Sequence, residues 1–170
     1  MWYHSTRFIS EIQFNGKPVT DKMILQWTNN RIKQYKKSLS NKDKSTEVAQ
    51  QTDAGKFKLN TIKSFREAQL NDCILFLNLL SSIDSKWINY DLVEVMPATN
   101  SPNINSKQYQ SHYKLANAKY CITVIRKLGC KVFDTASDIC DGDEKAILWI
   151  LTCIMIIAAK HSQTDHLLKQ

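Results

Sequence analysis

Residues 146–159, AILWILTCIMIIAA, form the longest uncharged apolar run in the chain, closed off by Lys145 and Lys160. Coiled as a helix, such a run reaches about 21 Å at 1.5 Å per residue. A bilayer core is about 30 Å thick and needs about 20 apolar residues. The run therefore predicts a helix buried on all sides in a protein core, and a tail-anchored membrane span is its competing reading. A helix without a polar face needs walls, and the rest of the chain must supply them.

The chain has 170 residues, enough for one domain of ordinary size, and 43% of them are hydrophobic, enough for a real core. With only 4 Gly and 3 Pro, a β-sandwich or a linker-like protein is disfavoured. The cysteines are Cys73, Cys121, Cys130, Cys140 and Cys153, an odd number with no CxxC pair. They read as reduced residues of a cytosolic protein, neither a disulfide framework nor a zinc site. Residues 1–12 hold Arg7 and Glu11 without an apolar centre, so no signal peptide is expected.

The net charge of +7 is local. From Arg31 to Arg66 there are ten Lys/Arg against three Asp/Glu, and the remaining residues balance at thirteen of each. A solvated loop explains such a patch, and so does contact with a polyanion: an acidic filament, nucleic acid or a membrane.

Along the chain, residues 1–12 are compatible with a short helix, and Gly16 and Pro18 break it. Thr20 is a good N-cap for a helix over 21–37, with Ile24, Trp27, Ile32 and Tyr35 on its apolar side and a basic end. The polar segment 38–60 reads as a basic surface loop or insertion. Residues 70–83 form a second apolar helix, capped by Asn71 or Asp72, and are the natural partner of 146–159. Lys86 to Val93 is a short element. Residues 106–128 are amphipathic, with Tyr109, Tyr113, Ala116, Tyr120, Val124 and Leu128 on one stripe and Gly129 as the C′ residue. One turn follows around Ala136 and Ile139, Asp141 or Asp143 caps the final helix, and the chain frays after Lys160.

Asp138, Asp141, Asp143 and Glu144 surround Gly142. In the register of a calcium loop with Gly142 at position six, Ile139 falls where an acidic ligand belongs. Helix capping accounts for the charges instead. His4, His112, His161 and His166 lack HxxxH or HExxH spacing, and no GxSxG, P-loop or dinucleotide fingerprint is present. No catalytic residue, metal or cofactor is therefore expected. Residue patterns alone lead to an all-α cytosolic domain with two buried helices and a local basic patch.

The segments WTNNRI (27–32), WINYDLV (87–93) and KLANAKYCITVIRKLGCKVFDTASDI (114–139) resemble a calponin-homology domain. The similarity is greatest to the fourth, C-terminal such domain of the fimbrin/plastin family. The opening MWYHSTRFISEIQFNGKPVTD resembles the junction before that domain, where the last helix of the third domain runs into a connector. The resemblance implies a domain over 16–160, with 1–15 left from a preceding domain, 38–60 as a basic insertion and 161–170 as a tail. It implies a bundle of four main helices, about 21–37, 70–83, 107–128 and 143–160, joined by short connecting helices, the last lying centrally. It also implies an actin-filament-binding module of a bundling protein in the cytoplasmic actin cytoskeleton, working with further calponin-homology domains and not with nucleic acid or membrane. In a tandem pair, the second domain contributes through its first long helix. That places candidate filament contacts at Lys22, Arg31, Lys33, Lys36 and Lys37. The alternative is a stand-alone calponin-homology scaffold, protein-interacting or microtubule-associated, without direct actin binding.

Overall fold

The computed structural model describes residues 13–14, 17–42, 59–95 and 106–167. The helix expected within 1–12 and most of the 38–60 loop lie outside these residues. A two-residue antiparallel ladder, β1 (Gln13–Phe14) with β2 (Lys17–Pro18), occupies the position of the expected break. Every other regular element among the described residues is helical, as the all-α reading requires.

Thr20 opens the first helix, with the Met23 N–H donating to Thr20 Oγ1 at 3.3 Å. That satisfies one of the amides that lack an intrahelical partner at a helix start. This helix, α1, spans Asp21–Lys42, past the expected end at Lys37 and into the segment read as loop. The serines there do not break it. Ser38 Oγ donates to the Tyr35 carbonyl at 2.7 Å and Ser40 Oγ to the Lys36 carbonyl at 3.1 Å. Leu39, half-buried, also carries the apolar stripe of Ile32 and Tyr35 one turn further.

A 3₁₀ turn, Ala68–Leu70, leads to α2 (Ile74–Ile83). The expected start near residue 70 is therefore late by one turn, because fully buried Cys73 sits in the left-handed region at φ 61°. That conformation costs roughly 1–2 kcal/mol and breaks helical continuity. The cap position falls on Cys73, which supplies no side-chain bond, in place of the expected Asn71 or Asp72; from one residue earlier, Asp72 Oδ1 accepts the Ile74 N–H at 3.0 Å. Burial pushes the Asp72 carboxyl above its ordinary pKa, against the lowering effect of that hydrogen bond. Two more 3₁₀ turns follow, Ser85–Trp87 and Tyr90–Leu92.

Helix α3 (Ser106–Lys127) closes in a Schellman arrangement: the Gly129 N–H donates to the Arg126 carbonyl and the Cys130 N–H to the Ile125 carbonyl. Gly129 has φ +90°, as that turn demands. Helix α4 (Ala136–Cys140) starts in a capping box in which Thr135 and Asp138 satisfy each other's backbone N–H. Asp143 caps α5 (Glu144–Leu167), its Oδ1 accepting from Lys145 N–H and Ala146 N–H at 2.9 Å each. The acidic cluster is thus spent largely on helix starts.

Along α5, Ala146, Ile147, Ile150, Leu151 and Ile154 are fully buried. They share one core with Ile24 and Ile32 of α1, Phe76, Leu77 and Leu80 of α2, and Cys121, Ile122 and Ile125 of α3. Leu59, Ile62 and Phe65, from the segment before α2, complete it. Helix α5 packs against α1, α2 and α4, while α3 packs chiefly against α4 and joins α2. All four expected main helices are present with a central last one.

Helix α5 does not fray after Lys160 but runs on to Leu167. Over Glu144–Gln163 it is long and apolar enough to cross a membrane, so the shortness of the apolar run is not what decides its role. Burial decides it: 67% of this apolar stretch lies inside the bundle.

Removing a fully buried leucine from this helix, Leu151→Ala, is expected to lower stability by about 2–5 kcal/mol. Chemical denaturation followed by circular dichroism reads this directly, and a loss below about 1 kcal/mol would mean the helix is not enclosed there. Gly129→Ala meets no atom within 4 Å, so its expected loss of about 1 kcal/mol is backbone strain alone. Thermal unfolding measures it.

Candidate interaction face of the first helix

Helix α1 divides into a docked side and a free side. Ile24, Thr28 and Ile32 are buried, with Trp27 and Tyr35 half-buried beside them. Asn29 reinforces the docking with its side-chain amide. Its Nδ2–H donates to the Ile62 carbonyl and its Oδ1 accepts the Ile62 N–H, both at 2.8 Å. The segment before α2 is thereby stitched to α1 as a β-ladder partner would be.

Arg31 is not on the free side. Its Nη2–H donates to the Ser82 carbonyl at 2.8 Å and its Nε–H to Ser82 Oγ at 3.0 Å. This is a cation on the C-terminal carbonyls of α2, where the helix dipole favours it. Partial burial lowers the guanidinium pKa from its ordinary value, though an arginine stays charged throughout. The expectation that Arg31 is an exposed contact residue is therefore corrected. At about 100° per residue it stands roughly 160° round the helix from Lys33, which points it at α2.

Lys22, Lys33, Lys36 and Lys37 are exposed. On the same helical geometry they fall within a sector of about 100°, interleaved with exposed Gln26, Asn30 and Ser40. Among the described residues none of the four lysines forms an ion pair. Among the described residues, the face is a strip of cations that no carboxylate pairs with. Of the neighbouring basic residues, Lys63 is exposed and Arg66 pairs with Glu144 at 2.7 Å. Lys44, Lys56 and Lys58 lie outside the described residues.

The motif segments turn out to be clamps of the fold. In WTNNRI, Asn29 and Arg31 bind Ile62 and Ser82. In WINYDLV, the Asn89 N–H donates to Tyr120 Oη at 2.8 Å, and Tyr90 Oη–H donates to Asn78 Oδ1 at 2.7 Å. In KLANAKY, buried Asn117 accepts the Glu94 N–H at 2.9 Å and donates to the Glu94 and Asp72 carbonyls at 2.8 and 3.2 Å. Spacing had suggested none of these roles. The available clue was an asparagine facing the apolar side of a helix, where it must find partners for its amide.

The pattern of the family described as Calponin homology (CH) domain matches residues 18–161. The chain belongs to the calponin-homology domain family. Among proteins similar to it, Fimbrin-2 of Arabidopsis thaliana is 32% identical over 141 residues, covering 83% of this chain and 16% of that protein. Fimbrin-5 of the same plant is 31% identical over 140 residues, 82% of this chain and 16% of its own length. Plastin-3 of Danio rerio is 25% identical over 158 residues, 91% of this chain and 20% of its own. The calponin-homology chain thus spans a fifth or less of these fimbrins and plastins. Among its described residues no group of three His, Cys, Asp or Glu is arranged to hold a metal ion.

The two classes of cation on this calponin-homology helix should separate by stability. Arg31→Ala removes both bonds to Ser82 and is expected to cost about 1–3 kcal/mol. Lys36→Ala should stay within about 0.5 kcal/mol. Urea midpoints at equal slope make the comparison, and equal losses for the two variants would contradict the division.

Proposed function

We propose that this chain is an actin-filament-binding module of a fimbrin/plastin-like bundling protein, and not an enzyme. The observation that carries the reading is the strip Lys22, Lys33, Lys36 and Lys37, exposed on the first long helix of a domain similar to those of fimbrins and plastins. Four cations in one sector, none paired with a carboxylate among the described residues, suit an acidic filament surface. Arg31 holds the helix that presents them instead of touching the filament. In this reading residues 1–15 belong to a preceding calponin-homology domain, 16–160 make the module, 38–60 is its basic insertion and 161–170 its tail. Crosslinking requires two filament sites, so bundling falls to the module together with further calponin-homology domains, in the cytoplasmic actin cytoskeleton.

Cosedimentation with filamentous actin tests this. The fraction pelleted should fall as salt rises, because the Debye length shrinks from about 30 Å at 0.01 M to about 8 Å at 0.15 M. Reversing three charges together (Lys33→Glu, Lys36→Glu, Lys37→Glu) should weaken binding by about ten-fold or more, each ten-fold being 1.4 kcal/mol. A chain that never pellets, at any ionic strength, does not bind filaments by itself. Undiminished pelleting of the triple variant would move the contact off α1.

A further inference from the structure

The connector between α3 and α4 leaves the Schellman turn at Gly129 and is pinned at three successive residues. Arg126 Nη2–H and Nε–H donate to the Val132 carbonyl at 2.7 and 3.2 Å. Trp149 Nε1–H donates to the Lys131 carbonyl at 2.9 Å. The Cys130 thiol donates to the Cys153 carbonyl at 3.7 Å. Trp149 and Cys153 are one turn apart on the same stripe of α5, so the connector lies along the middle of the central helix. The Cys130 side chain thereby lies against Cys153 itself, and the two cysteines are neighbours across the connector and α5.

The two sulfurs have opposite surroundings. Cys130 is half-buried and reachable from solvent, whereas Cys153 is 1% exposed. The hydrogen bond from the Cys153 thiol lowers the Cys130 pKa, outweighing partial burial, and Lys160 adds to the lowering. The same bond and deep burial push the Cys153 thiol up, helped by the nearby charge of Asp134. Burial also raises Cys73 and Cys140 and pushes Cys121 up to about 12. One half-buried thiol held beside a deeply buried cysteine is the arrangement of an accessible cysteine with a resolving partner.

We propose that Cys130 and Cys153 form a peroxide-responsive dithiol that closes to an intramolecular disulfide, stapling the α3–α4 connector to the centre of α5. In the first step the Cys130 thiolate attacks one oxygen of a hydroperoxide. The S–O bond forms as the O–O bond breaks, the leaving oxygen departs as hydroxide or alkoxide, and Cys130 becomes a sulfenic acid. In the second step the Cys153 sulfur attacks the Cys130 sulfur. The S–S bond forms, and the sulfenic oxygen leaves as water with the thiol proton. Two electrons pass from the two sulfurs to the peroxide. Cys130 lies outside any helix, so exchanging its bond to the Cys153 carbonyl for a bond to the Cys153 sulfur unwinds none. The closed loop encloses α4 and ties α3 to α5. This inference does not depend on filament binding.

The test treats the folded full chain with hydrogen peroxide near stoichiometry, then counts free thiols and maps peptides by mass spectrometry without reduction. Two of the five thiols should disappear together, in a Cys130–Cys153 peptide that dithiothreitol releases. The oxidised protein should melt several degrees higher, as loop closure restricts its unfolded state. In Cys153→Ala, dimedone should trap a sulfenic acid at Cys130. In Cys130→Ala, half-buried and thus safe for the fold, no thiol should be lost at that dose. The couple is refuted if the wild-type thiols survive, if Cys130 links to Cys121 or to a second chain, or if wild-type Cys130 stays a dimedone-reactive sulfenic acid.

Discussion

Everything in this bundle depends on α5 having no side to show to water over residues 146–155. A helix that is apolar all round gains nothing from lying on a surface and must be enclosed. Enclosure needs more walls than two neighbouring helices provide. Hence the fold recruits α1, α2, α3 and the irregular segment holding Leu59, Ile62 and Phe65 into one core. The hydrophobic effect that drives this is non-directional, and by itself would tolerate many ways of arranging those walls.

Directional bonds choose among them. Asn29 stitches the irregular segment to α1, Arg31 ties α1 to the end of α2, and Asn117 joins α3 to the backbone on both sides of α2. Each of these polar groups lies at the edge of an apolar contact, where a misplaced neighbour would leave it unpaired. An unpaired buried amide costs roughly 1–3 kcal/mol, so the clamps penalise wrong docking more than they reward the right one. The segments that make the family recognisable are therefore those that fix geometry. The functional proposal rests on residues outside them, the lysines on the free side of α1.

Much of the fold was legible in the chain because its signals are local. Thr20, Thr135 and Asp143 cap the helices they precede, and Gly129 ends α3, each through bonds spanning a few residues. Apolar spacing located the four main helices. Where the reading failed, a non-local effect won. Leu39 is half-buried in the stretch that carries α1 past Lys37, and buried Cys73 holds a left-handed backbone that delays α2. For the candidate site, the four lysines could be read from helical spacing. Arg31 could not, because its spacing does not reveal that the end of α2 lies within reach.

The sequence by itself determined where the four main helices lie, that Thr20 and Gly129 bound two of them and that 146–159 must avoid water, because these follow from periodicity and short-range bonding. Tertiary structure alone decided what α5 avoids water with. The helix is long enough for a bilayer, and only the walls packed round it make it a protein core. The same holds for Cys130 and Cys153, far apart in the chain and brought together by the connector's path along α5. Contacts between residues distant in sequence depend on how elements dock, and docking is a property of the whole core that no single segment encodes.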